Sequence, residues 1–330
     1  MDNKLLELLI TLCLRENKIA TENVESYESF NNPLLFAYFN NKKFGLFGEE
    51  QFENTLLDQT CYQRIESSEI KLLKIKHPVL NGTFKDNEKP IEYSKIIIKE
   101  TINDYFYPIL KNAISYIKSS SPEHYEIIEK HCQAVCLFFT PPSNTNSFAT
   151  INAHGMAFLN VYQQEEYDEV FFVDDLSHQT GHIIMNSFWF DRKKHFIIGE
   201  NNAIKDIVKD PKEYRSFFIL YHALYTYYAT ILCLEDCIDN NLFNSSQELE
   251  ASARIVFYLK KYVSDLAKFE LVCKHFGGID NVLHQENKHL YYKIKEKYVS
   301  SFERWKNEIN QFNFQKQPYN FTFSIFKQNN

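Results

Sequence analysis

Glycine and proline are scarce, at 8 and 9 in 330 residues. Tight turns, bulges and barrel corners draw on both, so their scarcity argues against a β-barrel or a loop-rich architecture. No uninterrupted apolar run approaches the ~18 residues that a membrane-spanning helix needs, and no membrane span is expected. Basic residues do not cluster. Lys193-Lys194 and Lys260-Lys261 are short pairs in a chain of net charge -7, which lacks the electrostatic footprint of a nucleic-acid binder. A glycine-rich phosphate loop and an internal repeat are both missing. The seven cysteines never take the C-x-x-C spacing of a zinc knuckle. Cys132/Cys136 and Cys233/Cys237 stand four apart and read as reduced core cysteines. No signal peptide is expected, because Met1-Asp2-Asn3-Lys4 leads straight into an amphipathic stretch, and the expected location is the cytoplasm.

What is present reads as mostly helix. Hydrophobic content of 44% and charged content of 24% are ordinary for a globular chain. Apolar positions at helical spacing predict helices over 4–15, 68–76 and 91–117, the last bent near Pro108. Lys85 to Pro90 reads as an exposed loop. Ser121 then Pro122 reads as a cap and first position of a further short helix. The period changes at Ala134 to Phe139, an apolar run closed by Pro141-Pro142 and read as a buried strand. Phe148 to Val161 reads as two strand segments around His154-Gly155. A helix through Val170, Phe171 and Val173 follows and ends near Trp189. Asp210-Pro211-Lys212-Glu213 looks like a helix start, leading to a helix that is apolar nearly all round and should be central. Two more long helices follow, over 246–276 and 279–310. The tail from Tyr319 to Ile325 alternates like an edge strand. The expected fold class is α+β and predominantly α-helical, a multi-helix domain with a small sheet before the histidine helix. The expected organisation is an N-terminal helical region at 1–121 and a metal-binding helical domain with the small sheet at 122–330, together one compact unit.

The chemistry centres on Asp174-Asp175-Leu176-Ser177-His178-Gln179-Thr180-Gly181-His182. Residues four apart share one helix face, so His178 and His182 can chelate one metal ion. The pattern is that of the H-E-x-x-H zinc helix with Gln179 at the glutamate position; the bland alternative is two helix-face histidines, one buried and one exposed. A catalytic ion needs a third ligand. His222, in the middle of the apolar helix, is the best candidate, against a hydrogen-bonded core histidine. Arg215, seven residues before it, requires an anion: a structural carboxylate or the carboxylate of a bound acid. Asp175 could orient an imidazole or ligate the metal. His154 could line the site, although a lone histidine is more often on the surface.

The order of these parts resembles a family. Asn152-Ala153-His154-Gly155 precedes the His-x-x-x-His helix, and Tyr214-Arg215-Ser216-Phe217-Phe218-Ile219-Leu220-Tyr221-His222-Ala223 follows it. This is similar to the HEXXH-motif peptide modification proteins found with ribosomally synthesised, post-translationally modified peptides, the match running from about Asn152 to Leu234. The resemblance implies that His178, His182 and His222 bind one metal. It also implies Fe(II)/2-oxoglutarate-dependent hydroxylation of a precursor-peptide side chain, with Arg215 on the cosubstrate carboxylate. Gln179 departs from the family pattern. Glutamine cannot take a proton from metal-bound water, as hydrolysis requires, whereas an Fe(II) oxygenase needs ligands and open positions but no such base. The rival expectations are a zinc-dependent peptidase using another base such as Asp175, and a non-catalytic peptide-binding relative.

Overall fold

The structure, a computed structural model, describes residues 32–42, 59–86, 89–162, 167–199 and 203–330. The helix expected over 4–15 lies outside them. The chain is predominantly helical with a small mixed sheet, as its periodicity implies. It divides into two compact units, 1–190 and 191–330, rather than after residue 121. Ser121 is only the joint between two consecutive helices of the first unit.

In the first unit α1 is Pro33–Lys42, β1 Tyr62–Arg64, β2 Lys71–Leu73, β3 Lys85–Asp86, β4 Lys89–Pro90, α2 Glu100–Ser120, α3 Pro122–His131, β5 Ala134–Phe138, β6 Phe148–Ala149, β7 Met156–Asn160 and α4 Glu169–Phe188. The main sheet has the order β1-β2-β5-β7-β6, and β2, β5 and β7 run parallel. Every residue of β5 and β7 is buried, as expected for central strands covered on both faces. Ala134, Cys136, Phe138, Met156 and Phe158 pack with Leu34, Leu35 and Tyr38 of α1 in one cluster. The alternate residues point to the opposite face, on which α4 packs against β7 and against α2 and α3.

Several expectations give way to long-range pairing. The helix proposed for 68–76 is instead β2, because Lys71 and Leu72 pair with Ala134 and Val135. Residues 91–99 do not join α2. Ile97 exchanges backbone hydrogen bonds with Phe139 at 3.1 and 2.9 Å, and Lys76 Nζ donates to the carbonyls of Tyr93 and of Ile96, the latter at 2.6 Å. Pro108 does lie inside α2. Of the expected 85–90 loop, Lys85–Asp86 and Lys89–Pro90 instead form the two-stranded β3–β4 pair.

The second unit contains α5 Lys205–Val208, α6 Phe217–Asp239, α7 Ser245–His275, α8 Gln285–Arg304, α9 Lys306–Gln311 and α10 Phe323–Asn329. Asp210 does not cap a helix. Its carboxylate accepts from Lys212 N at 3.0 Å and its carbonyl from Glu213 N at 3.0 Å, closing a turn. The helix begins later, behind Ser216, whose hydroxyl accepts from Ile219 N. Contrary to the expectation from uninterrupted runs, α6 is long and apolar enough to cross a membrane by composition, with a mean hydropathy of 1.4; yet 83% of that window is buried inside the protein. It is a core helix, packed on α7 and α8 and tied to α8 by Tyr221 Oη donating to Asn287 O at 2.7 Å. The tail forms α10 instead of an edge strand, because Phe321, Phe323 and Phe326 bury themselves against Phe257 of α7. Among the described residues the six cysteines are buried and none forms a disulfide.

Candidate functional site

The histidine pair sits on α4, whose start is set by Asp168: its carboxylate accepts from Val170 N at 2.9 Å. The helix is buried on most of its circumference. On the part-exposed face, His178 and His182 place their rings 5.1 Å apart, centre to centre, at 73°. Burial pushes the imidazole of His182 down to about 4, so it is neutral at pH 7, the state in which an imidazole ligates.

Asp175 and Gln179 share that face, being within about 60° of one histidine or the other at ~100° per residue. Gln179 is buried, and its Nε2 donates to Asp175 Oδ1 at 3.0 Å. A carboxylate only accepts, so this bond also decides which end of the Gln179 amide faces Asp175. Gln179 Oε1, on the other end, is buried and has no hydrogen-bond partner among the described residues.

His154 is not a surface residue. It is buried, and its Nε2 lies 2.8 Å from Ser187 Oγ in the last turn of α4. Burial, helped by nearby His131, pushes it down to about 4. Ser187 is five residues beyond His182 and nine beyond His178, which puts it roughly 140° and 180° round the helix from them. The expectation that His154 lines the site is therefore corrected: it anchors the opposite side of the helix to the start of β7. Nothing in the sequence around Ser187 marks it as that anchor. Gly155 beside it adopts φ +88, and an added Cβ would stand 3.3 Å from Gln133 Cγ.

His222 and Arg215 belong to the second unit. His222 is 8% exposed on α6, with its ring 5.5 Å from that of Phe218. Arg215 precedes the helix rather than sharing a face with His222. Of the two anions expected for it, the structure supplies structural carboxylates. Its Nε and Nη2 donate to Glu213 at 2.8 and 2.7 Å, and its Nη1 and Nη2 donate to Asp265 at 2.8 and 2.7 Å. Lys268 Nζ adds bonds to Glu213 at 2.7 Å and Asp210 at 3.0 Å, and Tyr227 Oη donates to Asp265 at 3.2 Å. Four of the five guanidinium N–H groups are thus committed, so a cosubstrate-binding role for Arg215 is corrected to an internal one. Sequence reasoning placed Glu213 in a helix cap and did not single out Asp265 or Lys268.

For metal binding, His178 and His182 offer two neighbouring imidazoles, while a catalytic ion needs a third ligand. Among the described residues no group of three or more His, Cys, Asp or Glu side chains could hold a metal ion. No protein-family model matches this chain, and no curated protein matches it.

Proposed function

We propose that this protein is a metal-dependent, peptide-modifying enzyme of the cytoplasm, an Fe(II)/2-oxoglutarate-dependent hydroxylase of a side chain in a ribosomally made precursor peptide. The observation that carries the reading is the pair of imidazoles on successive turns of α4, 5.1 Å apart on its part-exposed face. His178 and His182 would hold the ion, with a third ligand needed to complete a catalytic site. Bound iron and the keto acid would supply the oxygen chemistry. Gln179 favours oxidation over hydrolysis because an amide cannot serve as the general base. The keto-acid carboxylate needs a partner other than Arg215.

A second reading, a non-catalytic peptide-binding relative, is favoured by the committed guanidinium of Arg215 and by the lack of a three-residue ligand group among the described residues. Metal titration of anaerobically purified protein separates the two. The enzyme reading expects one Fe(II) per chain in the wild type, lost in His178→Ala and in His182→Ala. It also expects succinate from 2-oxoglutarate and a gain of about 16 Da, one oxygen atom, in the peptide encoded beside the gene. Absence of metal binding, with a melting temperature insensitive to metal, would leave the non-catalytic reading. Chelator-sensitive cleavage of a peptide would replace both with a zinc peptidase.

A further inference from the structure

Two imidazoles meet inside the first unit, and neither serves the chemistry proposed above. His131 ends α3 and His154 precedes β7. Gly155 brings them together: its carbonyl accepts from Gln133 N at 2.8 Å and from Ala134 N at 3.1 Å, and an added Cβ would stand 3.5 Å from the His131 carbonyl. His154 is 4% exposed, with Ser187 Oγ 2.8 Å from its Nε2 and the Phe36 ring edge-on at 5.5 Å. Its Nδ1 and the Nε2 of His131 are both buried and without a hydrogen-bond partner among the described residues. Protonation would turn His154 Nδ1 into a donor with no acceptor and put a charge in an apolar joint. Among the described residues no carboxylate stands ready to pair with it. The side chains from Pro33 to Asn40 of α1, and those of β5, β6 and β7, carry no charge. On α3, Glu123, Glu126 and Lys130 are exposed and His124 is buried, while Glu129 is engaged by Ser68, Tyr125 and the Glu69 amide. On α4, Glu169, Asp174 and Asp175 stand at least about 18 Å back along the helix from Ser187, and the nearer His178 and His182 bring no negative charge. Burial, reinforced by His131 for His154 and by Lys130 for His131, pushes both imidazoles down to about 4. Both lie near helix C-termini, where the dipole favours a cation, but that attraction is small beside the cost of burying an unpaired charge.

We propose that His131 and His154 form an acid-sensed latch, which while neutral holds the last turn of α4 against the 150–155 turn and which opens this joint on protonation with the rest of the unit still folded. Opening can stay local because β5 and β7 are joined by their own ladder and packed with α1 in one apolar cluster. The latch is independent of any ion on α4.

Hydrogen exchange of the full chain, read by mass spectrometry at pH 7.5 and 5.0 and corrected for its intrinsic pH dependence, tests the latch. A histidine held at about 4 when folded and titrating near ~6.5 when exposed takes up a proton on opening, so the joint weakens as pH falls below ~6.5. Between the two pH values each such group raises the opening equilibrium by about 30-fold. Segments 150–155 and 183–190 of the wild type should therefore open at least about 30-fold more at pH 5.0. His154→Gln keeps a polar group for Ser187 but cannot titrate, and His131→Gln removes the second charge. Each should remove one such factor, and the double variant should show no rise. A double variant that keeps the wild-type rise would overturn the latch. So would a wild-type rise that is equally large in β5, which is general acid unfolding. Where circular dichroism shows a variant unfolded, NMR titration of the histidine ring protons in the wild type carries the test: both rings should stay neutral down to about pH 5, and either one titrating near ~6.5 in the closed protein would refute it.

Discussion

Glu213 should make the second unit acid-sensitive. Its carboxylate accepts from Arg215 Nε and Nη2, from Arg215 N at 3.1 Å and from Lys268 Nζ, all while buried. The hydrogen bonds from Arg215 dominate, and with Lys268 they outweigh burial and hold the carboxyl at about 2. In the unfolded chain the same group titrates near ~4.3. The folded value is the lower one, so the stabilisation is fully present above about pH 5 and is lost as pH falls towards about 2. A shift of roughly 2.3 units at 1.36 kcal/mol each is about 3 kcal/mol, a large fraction of a typical domain's stability. Urea unfolding from pH 7 to 2.5, followed by Trp305 fluorescence in a Trp189→Phe background, measures it. Trp305 reports on this unit because its Nε1 donates to Glu235 Oε1 at 2.7 Å. The Glu213→Gln variant starts lower at pH 7, by about 3–5 kcal/mol, because Arg215 loses a charged partner. Its further loss on acidification should be about 3 kcal/mol smaller than that of the wild type. Parallel pH profiles in the two proteins would refute the reasoning, since every other carboxylate is common to both.

Gln179→Glu would place a second carboxylate about 3 Å from that of Asp175, a repulsion of up to about 5–6 kcal/mol at an effective dielectric of 20. The introduced group's folded pKa is raised, so the penalty is absent below about pH 4 and grows as pH rises; melting temperatures should match the wild type at pH 4 and fall behind by pH 7.5, and an equal gap at both would count against the geometry. Gly155→Ala should cost about 1–2 kcal/mol in a denaturant titration, because its φ of +88 is unfavourable with a Cβ and Gln133 stands close. Tyr221→Phe should cost about 1–2 kcal/mol in the same assay by leaving the buried Asn287 carbonyl without its 2.7 Å donor; no change would show that another donor replaces it.

The helices over 169–188, 217–239 and 245–275 were legible in the sequence, because a 3.6-residue period is carried by neighbours within the same segment. So was the common face of His178 and His182, which follows from their spacing alone. Capping was less legible: Asp210 has the side chain of a helix start, yet its carboxylate and carbonyl close a turn and Ser216 does the capping. Only the tertiary structure decided that three residues at 71–73 become a strand, since so short a segment takes its conformation from Ala134 and Val135 some sixty residues away. It likewise decided that His154 is buried against Ser187, and that Arg215 belongs to Glu213 and to Asp265, a partner 50 residues distant. Periodicity is a local property and survives in the one-dimensional chain. The partner of a buried charge or imidazole is a non-local one, chosen only when folding makes an unpaired polar group costly.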